Sequence, residues 1–397
     1  MDFQTSRTHK FSDYTKAIPV TPVVAECVEQ VEVVYPNTKK RLEESKMEIE
    51  KLCKTKRWLW NKFSRGMNPY ELPPTLIKEK KISRAYYKMW EILIEFSLLE
   101  GYIDKTKKIN FLHLCEGPGG FIQACREYRE KIHRDEESIN SDSHVGITLK
   151  PDPQHGDVSN LPDFSEEVPE ISNCIITYGK DGTGNLYNTK NIKNLSCNLE
   201  QATGCCKANI ITADGGFDVS ENFNNQEALS MRLFISQVLT ALETQEVGGH
   251  FVMKIFDTHT RAMIDLLYIL QLNYEFMYIY KPAMSRPCNS EYYVICKVFK
   301  GKAVKSHISK LYSILNKLGE NDSLKISSLL KNPPPQGFIN EICFYISDTI
   351  NNQISNINIV IQTINQGKAI SNSKLERYKQ TQNENAKKYC EMYRLLW

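Results

Sequence analysis

The sequence predicts an α/β fold: a mostly parallel, doubly wound sheet flanked by an N-terminal extension and a C-terminal helical region. Three observations lead there. From about Lys81 to Lys302, helix-forming stretches alternate with short apolar runs, the rhythm of a parallel sheet covered on both faces. One of those runs passes directly into a glycine-rich string and then a helix-forming stretch, the strand-turn-helix order by which such sheets build ligand sites. After Lys302 the texture changes to Lys, Ser and Asn at helical spacing, broken by Pro333-Pro334-Pro335.

Taken in order, the first 35 residues mix Pro, Val and Thr without period and read as an extended arm or peripheral element. Thr38 to Lys62 reads as a basic helix running into Trp58 and Trp60, and Gly66, Pro69, Pro73 and Pro74 mark the connecting loop. Ser83 to Leu99 is a helix in which Tyr86, Trp90, Leu93 and Ser97 share a stripe while Lys88 falls off it. Strands are expected at Asn110–Cys115, Val145–Leu149, Cys174–Thr177, Asn209–Ala213, His250–Phe256, Phe276–Tyr280 and Tyr292–Val298. Helices are expected near Phe121–Lys131, Gln226–Thr244 and Thr260–Leu272. The chain therefore divides into an N-terminal extension (1–62), the α/β domain (63–302) and a helical region (303–397).

The length of 397 residues suits one catalytic domain with extensions. Fifty basic and 47 acidic residues nearly balance, so any nucleic-acid surface must be a local patch. None of the twelve cysteines stands in a C-x-x-C pair, although Cys205 and Cys206 are adjacent, and no metal is expected. A polar, charged start and the lack of an apolar run of about 18 residues argue against secretion and membrane spanning. Many unpaired thiols point to a reducing intracellular compartment, nuclear, cytoplasmic or viral.

The string Cys115-Glu116-Gly117-Pro118-Gly119-Gly120-Phe121 follows the apolar run Phe111–Leu114. Glycines there let the backbone turn sharply and approach a ligand, and the helix that follows offers free N–H groups to a carboxylate. S-adenosylmethionine carries such a carboxylate. The spacing is not the G-x-G-x-x-G dinucleotide pattern and no phosphate-cradling Lys follows, so NAD and ATP fit less well. A turn that binds nothing is the alternative reading.

Asp214 ends an apolar run, Lys254 interrupts another, and Glu291 precedes a third. An Asp before Gly-Gly is often a turn former, and a Glu at a strand start is often solvated. Lys254 is harder to dismiss, because a lysine within a core strand needs a charged partner. With Lys88, these residues suit the activation of a sugar hydroxyl. The base would be Lys254, its pKa brought toward about 7–8 by burial and by the neighbouring Lys88 cation. Asp214 and Glu291 would hold the amines in line.

In the order Lys88, Asp214, Lys254, Glu291, these residues resemble the K-D-K-E tetrad of the FtsJ/RrmJ-like ribose methyltransferases. The strings CEGPGGF, TADGGF, GGHFVMKIFD and SRPCNSEYYVICK, with Asn68-Pro69-Tyr70-Glu71 and Arg84–Met89 upstream, look like blocks of the cap-specific mRNA nucleoside-2'-O-methyltransferase 1 family and of large-DNA-virus relatives. The resemblance covers about Arg65 to Lys297 and implies a Rossmann-like methyltransferase domain using S-adenosylmethionine. It implies cofactor contacts at Ser83, Cys115, Glu116, Gly117, Pro118, Gly119, Gly120, Phe121, Asn185, Leu186 and Asp214. Capped RNA would be met by Arg65, Asn224 and Asn289. The family more often has Asn at Ser83's position, Asp at Asn185's and Arg at that of Ser64, for which Arg65 substitutes. A second RNA contact along Lys54 to Lys62 and a protein partner on the C-terminal helices complete the expectations. Methylation of ribosomal or other structured RNA, and a non-catalytic RNA-binding subunit, are the competing readings.

Overall fold

The computed structural model describes residues 8–12, 35–77, 79–102, 108–132, 142–150, 163–171, 173–216, 226–301, 304–320, 326–366 and 368–395. Its strands are β1 (Thr8–Lys10), β2 (Asn110–Leu114), β3 (Ser143–Ile147), β4 (Cys174–Thr177), β5 (Ala208–Ala213), β6 (Gln245–Phe256), β7 (Tyr274–Tyr280) and β8 (Glu291–Phe299). They form one sheet in the order β1-β7-β8-β6-β5-β2-β3-β4. Strands β2 to β6 pair in parallel, β8 runs antiparallel to both β6 and β7, and β1 lies antiparallel on β7 at the edge. The short β1 within the N-terminal arm was not visible in the sequence, since three residues carry no readable period.

The chain winds from β2 to β3 and β4 on one side, then crosses back to place β5 on β2's other side. Such a reversal opens a crevice beyond the carboxyl ends of the strands. The glycine-rich loop after β2 and Asp214 after β5 both lie at that end. Because β8 runs antiparallel to β6, Glu291 at its start pairs with Phe256 at the end of β6.

Helices cover both faces. Helix α3 (Arg84–Glu95) and α4 (Gly120–Ile132) lie on one face, with Trp90, Phe121, Ile210, Val252, Tyr293 and Ile295 in a shared core. On the other face α5 (Thr189–Thr203), α6 (Gln226–Thr244), α7 (Arg261–Asn273) and α8 (Val304–Glu320) bury Phe251, Met253, Ile255, Tyr292 and Val294 among them. Helix α5 went unread in the sequence, where its Asn and Lys content hides a stripe of Ile192, Leu195 and Leu199. The helix expected at Ser83–Leu99 ends at Glu95, and Ser97 takes a left-handed φ of 48°.

Helix α1 (Pro36–Gly66) runs past residue 62, starts on a Pro and has a break in helical geometry at Lys56. It buries Leu42, Ser45, Lys46 and Ile49, one stripe at helical spacing. After the single-turn α2 (Pro73–Leu76) and a 3-10 turn at Glu100–Tyr102, the remaining described elements are α9 (Gln336–Asn365) and α10 (Lys368–Met392). Helix α9 sends Phe338, Ile342 and Ile346 into the same core as β6 and β8, whereas Tyr389 and Cys390 of α10 join the α3 face. No described helix is long and apolar enough to cross a membrane.

Candidate active site

Alternation along β6 decides where Lys254 points. Phe251, Met253 and Ile255 enter one face, and Val252 the other, so Lys254 joins Val252 on the α3 face. Its cross-strand partner is Tyr293, on the same face, and Lys88 projects from α3 toward them. The structure therefore brings Lys88, Asp214, Lys254 and Glu291 together from one helix and three strand ends.

The Lys254 ammonium donates to the Asp214 main-chain oxygen at 2.7 Å and lies 3.3 Å from the Asp214 carboxylate. The Tyr293 hydroxyl donates to the same carboxylate oxygen at 2.9 Å. Lys88 pairs with Glu291 at 2.8 and 2.9 Å, and the Ser285 hydroxyl donates to Glu291 at 2.9 Å. Burial disfavours the Glu291 carboxylate, but the Lys88 and Lys254 cations, with hydrogen bonds from Lys88 and Ser285, prevail and hold its pKa down to about 2.

The expectation that Lys88 depresses the Lys254 pKa is corrected here. Burial does push that pKa down, but the Asp214 and Glu291 carboxylates outweigh it and raise the group above its ordinary value. Lys88 is engaged by Glu291 instead of facing Lys254 as a bare cation.

The glycine-rich loop is held at every step. Cys115 has a left-handed φ of 56°, and Gly119 one of 112°. The Glu116 N–H donates to Ile147 O at 3.2 Å, Gly117 N–H to the Thr148 hydroxyl at 3.2 Å, and Pro118 O accepts from Ser165 N–H at 2.9 Å. Gly120 sits so close to α3 that a Cβ there would lie 2.4 Å from the Ser83 hydroxyl. Ser83 itself caps α3, accepting from Ala85 N–H at 3.2 Å. Phe121 is buried, with its ring 6.0 Å from that of Tyr293.

The start of α4 is not wholly free, as the sequence suggested. Glu116 accepts from the Phe121 N–H at 2.6 Å and also from Ile122 N–H. Burial first, then the nearby Asp214 charge, pushes the Glu116 carboxyl well above its usual range. Its second oxygen is buried and lacks a hydrogen-bond partner among the described residues, an acceptor for a ligand's amino group. The loop therefore fits a small ligand carrying such a donor.

Across the crevice, Asn185 accepts from the Tyr187 N–H at 2.8 Å, and Leu186 is buried in the core. Asp181 fixes this loop through Thr183, Asn188 and Asn191. Arg65, at the end of α1, and Asn289, before β8, are both exposed. Cys288, the neighbour of Asn289, packs against the cluster of Phe63 and Met67, which flank Arg65 in sequence. Asn224 lies outside the described residues. Along Lys54 to Lys62, Trp58 is 65% exposed while Trp60 is part of that same cluster.

Sequence reasoning missed Tyr293, Ser285 and Lys281. Lys281 donates to Asn289 O at 2.8 Å and Glu291 O at 3.0 Å, and burial brings its pKa down to about 8. No sequence signal separates Tyr293 from Tyr292; only the register with Lys254 does.

Several known proteins are similar to this chain. Cap-specific mRNA (nucleoside-2'-O-)-methyltransferase 1 of Dictyostelium discoideum is 34% identical over 267 residues, covering 65% of this chain and 34% of that protein. The mouse (Mus musculus) protein named cap-specific mRNA (nucleoside-2'-O-)-methyltransferase 2 is 33% identical over 230 residues, 58% of this chain and 29% of its own length. A methyltransferase 1 of the same name from Trypanosoma cruzi (strain CL Brener) is 32% identical over 229 residues, 55% of this chain and 57% of that one. The chain thus spans about a third of the length of the first two relatives. The family described as FtsJ-like methyltransferase matches residues 82–299, more than half of the sequence and all of the residues that form the tetrad, and the chain belongs to that family.

Proposed function

We propose that this protein transfers a methyl group from S-adenosylmethionine to the ribose 2'-hydroxyl of the first transcribed nucleotide of capped mRNA, turning cap 0 into cap 1. The observation that carries the reading is the meeting of Lys254 with Asp214, and of Lys88 with Glu291, at the crevice beside the glycine-rich loop. The names of the relatives supply the cap.

When bound, S-adenosylmethionine supplies an electrophilic methyl on a positively charged sulfur. Ser83, the loop from Cys115 to Phe121, Asn185, Leu186 and Asp214 would hold it, with the unpartnered Glu116 oxygen taking an amino donor. A ribose hydroxyl is too weak an acid to ionise near neutrality, so it must lose its proton as it attacks. In this reading Lys254 takes that proton, and its contacts with Asp214, which Tyr293 also holds, support the assignment. In the free protein Lys254 is charged; a second positive charge in the crevice favours its deprotonation by the same Coulomb effect that the carboxylates now oppose. Beyond that, rate comes from alignment of the attacking oxygen with the methyl carbon and sulfur.

Arg65, Asn289 and Asn224 are the proposed contacts to capped RNA, and the exposed Trp58 with Lys54 and Arg57 offers a stacking and phosphate surface further along α1. Methylation of capped and uncapped RNA of one sequence tests the proposal. Capped RNA should be strongly preferred; equal methylation of both would remove the cap from the reading, and no 2'-O-methylation of either would remove the activity.

A further inference from the structure

We propose that Lys46, far from the crevice in sequence, is a positioning residue that sets the spacing between Lys254 and Glu291 by gripping the two strand ends that carry them. The proposal rests on the methyl-transfer reading given above.

Phe256 and Glu291 are the last cross-strand pair between β6 and β8. One residue further out on each strand stand Asp257 and Ser290. Both are buried, at 2% and 5% exposure, and Asp257 accepts a side-chain hydrogen bond from Ser290. From α1, the Lys46 ammonium reaches both Asp257 oxygens, at 3.1 and 2.9 Å. From α9, the Gln353 amide donates to the Ser290 hydroxyl at 3.1 Å and to Cys288 O at 3.0 Å. Two helices outside the matched family region thus converge on the polar link that closes β6 against β8.

The backbone at this point is under strain. Asp257 and Thr258 are consecutive non-glycine residues with φ of 38° and 74°, and a conformation of that kind persists only where neighbours enforce it. The enforcement comes from two sides. Glu227 at the start of α6 accepts from His259 N–H, Thr260 N–H and the Thr260 hydroxyl at 2.6 to 2.8 Å, and Lys46 holds the turn's carboxylate. Of the groups around Asp257, Lys46 is the strongest in holding its pKa below the usual carboxylate range, ahead of His259 and Ser290.

A buried ion pair is a poor source of net stability but a sharp geometric constraint. Releasing it would let the turn after β6 relax. The distance from Lys254, three residues before Asp257, to Glu291, one residue after Ser290, would then no longer be fixed. Displacements of about 1 Å cost rate more than binding.

Steady-state kinetics of methyl transfer to capped RNA, with S-adenosylhomocysteine affinity and Tm measured beside it, tests the proposal on three full-length variants. Lys46→Met should lower kcat tenfold or more, with KM for S-adenosylmethionine and the S-adenosylhomocysteine Kd within threefold of wild type. Lys46→Arg, which can still grip Asp257, should recover most of kcat. Lys46→Met with Asp257→Asn removes the unpaired charge and should recover Tm without recovering kcat. Unchanged kcat in Lys46→Met, or kcat that returns together with Tm in the double variant, would overturn the positioning role. Failure of the methyl-transfer reading is seen separately, as a wild-type protein that binds S-adenosylhomocysteine and methylates nothing.

Discussion

Lys254 and Asp214 are joined twice, through the main-chain oxygen at 2.7 Å and the carboxylate at 3.3 Å. The carboxylate oxygen nearest the amine is also the one that accepts from Tyr293. Asp214 therefore fixes both the height and the direction of the amine. Gly216 closes the arrangement from outside, since a Cβ there would lie 3.2 Å from the lysine nitrogen.

Replacement of Lys254 is the first consequence. Lys254→Ala removes the proposed proton acceptor without touching the glycine-rich loop, so methyl transfer should fall by about 10²- to 10⁴-fold or below detection. S-adenosylhomocysteine binding, read by calorimetry, should stay near wild type. Activity that survives unchanged would mean another group takes the proton.

The dependence on pH follows from the raised Lys254 pKa. Its ordinary value is 10.5 and the two carboxylates lift it further, so the free protein carries a charged Lys254 across the neutral range. Because kcat/KM for S-adenosylmethionine reports the protein before the cofactor's charge arrives, log kcat/KM for that substrate should climb by about one unit per pH unit from about pH 6 to 9 without a plateau. Glu291→Gln takes away one of the carboxylates that raise Lys254, and the limb should move to lower pH. Glu291 itself falls from 4.5 to about 2, so its stabilising contribution is present above the unfolded value and lost as the pH drops through the folded one. A plateau in kcat/KM centred near pH 7 would contradict the assignment of Lys254.

Much of this was legible in the sequence because period and position carry it. The strand runs are apolar and short, the glycines stand directly after one of them, and a lysine inside HFVMKIF has no bland explanation as easy as those for Asp214 or Glu291. What stayed hidden depends on register. That Tyr293 and not Tyr292 meets Asp214 follows from the pairing of β6 with β8. That Glu116 uses up the first N–H groups of α4 follows from a side-chain rotation no spacing encodes. The sign of the Lys254 shift was misread for a similar reason: two cations and two carboxylates can pair in more than one way, and only the coordinates show Lys88 on Glu291.

Glu116 gives a prediction with the opposite sign. Its folded pKa is raised by burial and by Asp214, so the folded state keeps a proton that the unfolded chain releases above about pH 4.5, and stability falls as the pH rises toward the folded value. Glu116→Gln cannot ionise. Its Tm should therefore decline less than that of wild type between pH 5 and 8. Parallel Tm profiles for the two proteins would show that Glu116 is not the buried acid inferred here.

The last prediction separates close packing from mere flexibility among the glycines. A Cβ on Gly120 would stand 2.4 Å from the Ser83 hydroxyl, 2.9 Å from the Tyr86 main-chain nitrogen and 3.1 Å from the Ala85 Cβ. The Ser83 hydroxyl can swing away only by giving up its cap of α3, and the Tyr86 nitrogen is backbone, so the loop and α3 must separate. Gly120→Ala should cost about 1–3 kcal/mol in denaturant unfolding, the range for overpacking a tight contact. It should also weaken S-adenosylhomocysteine binding, because the loop that moves is the proposed cofactor loop. Among the described residues Gly101 meets nothing within 4 Å of a built Cβ, and it has no left-handed φ, so Gly101→Ala should be neutral or stabilise by up to about 1 kcal/mol through the unfolded chain. Equal effects at the two positions would show that α3 does not press on the loop at Gly120.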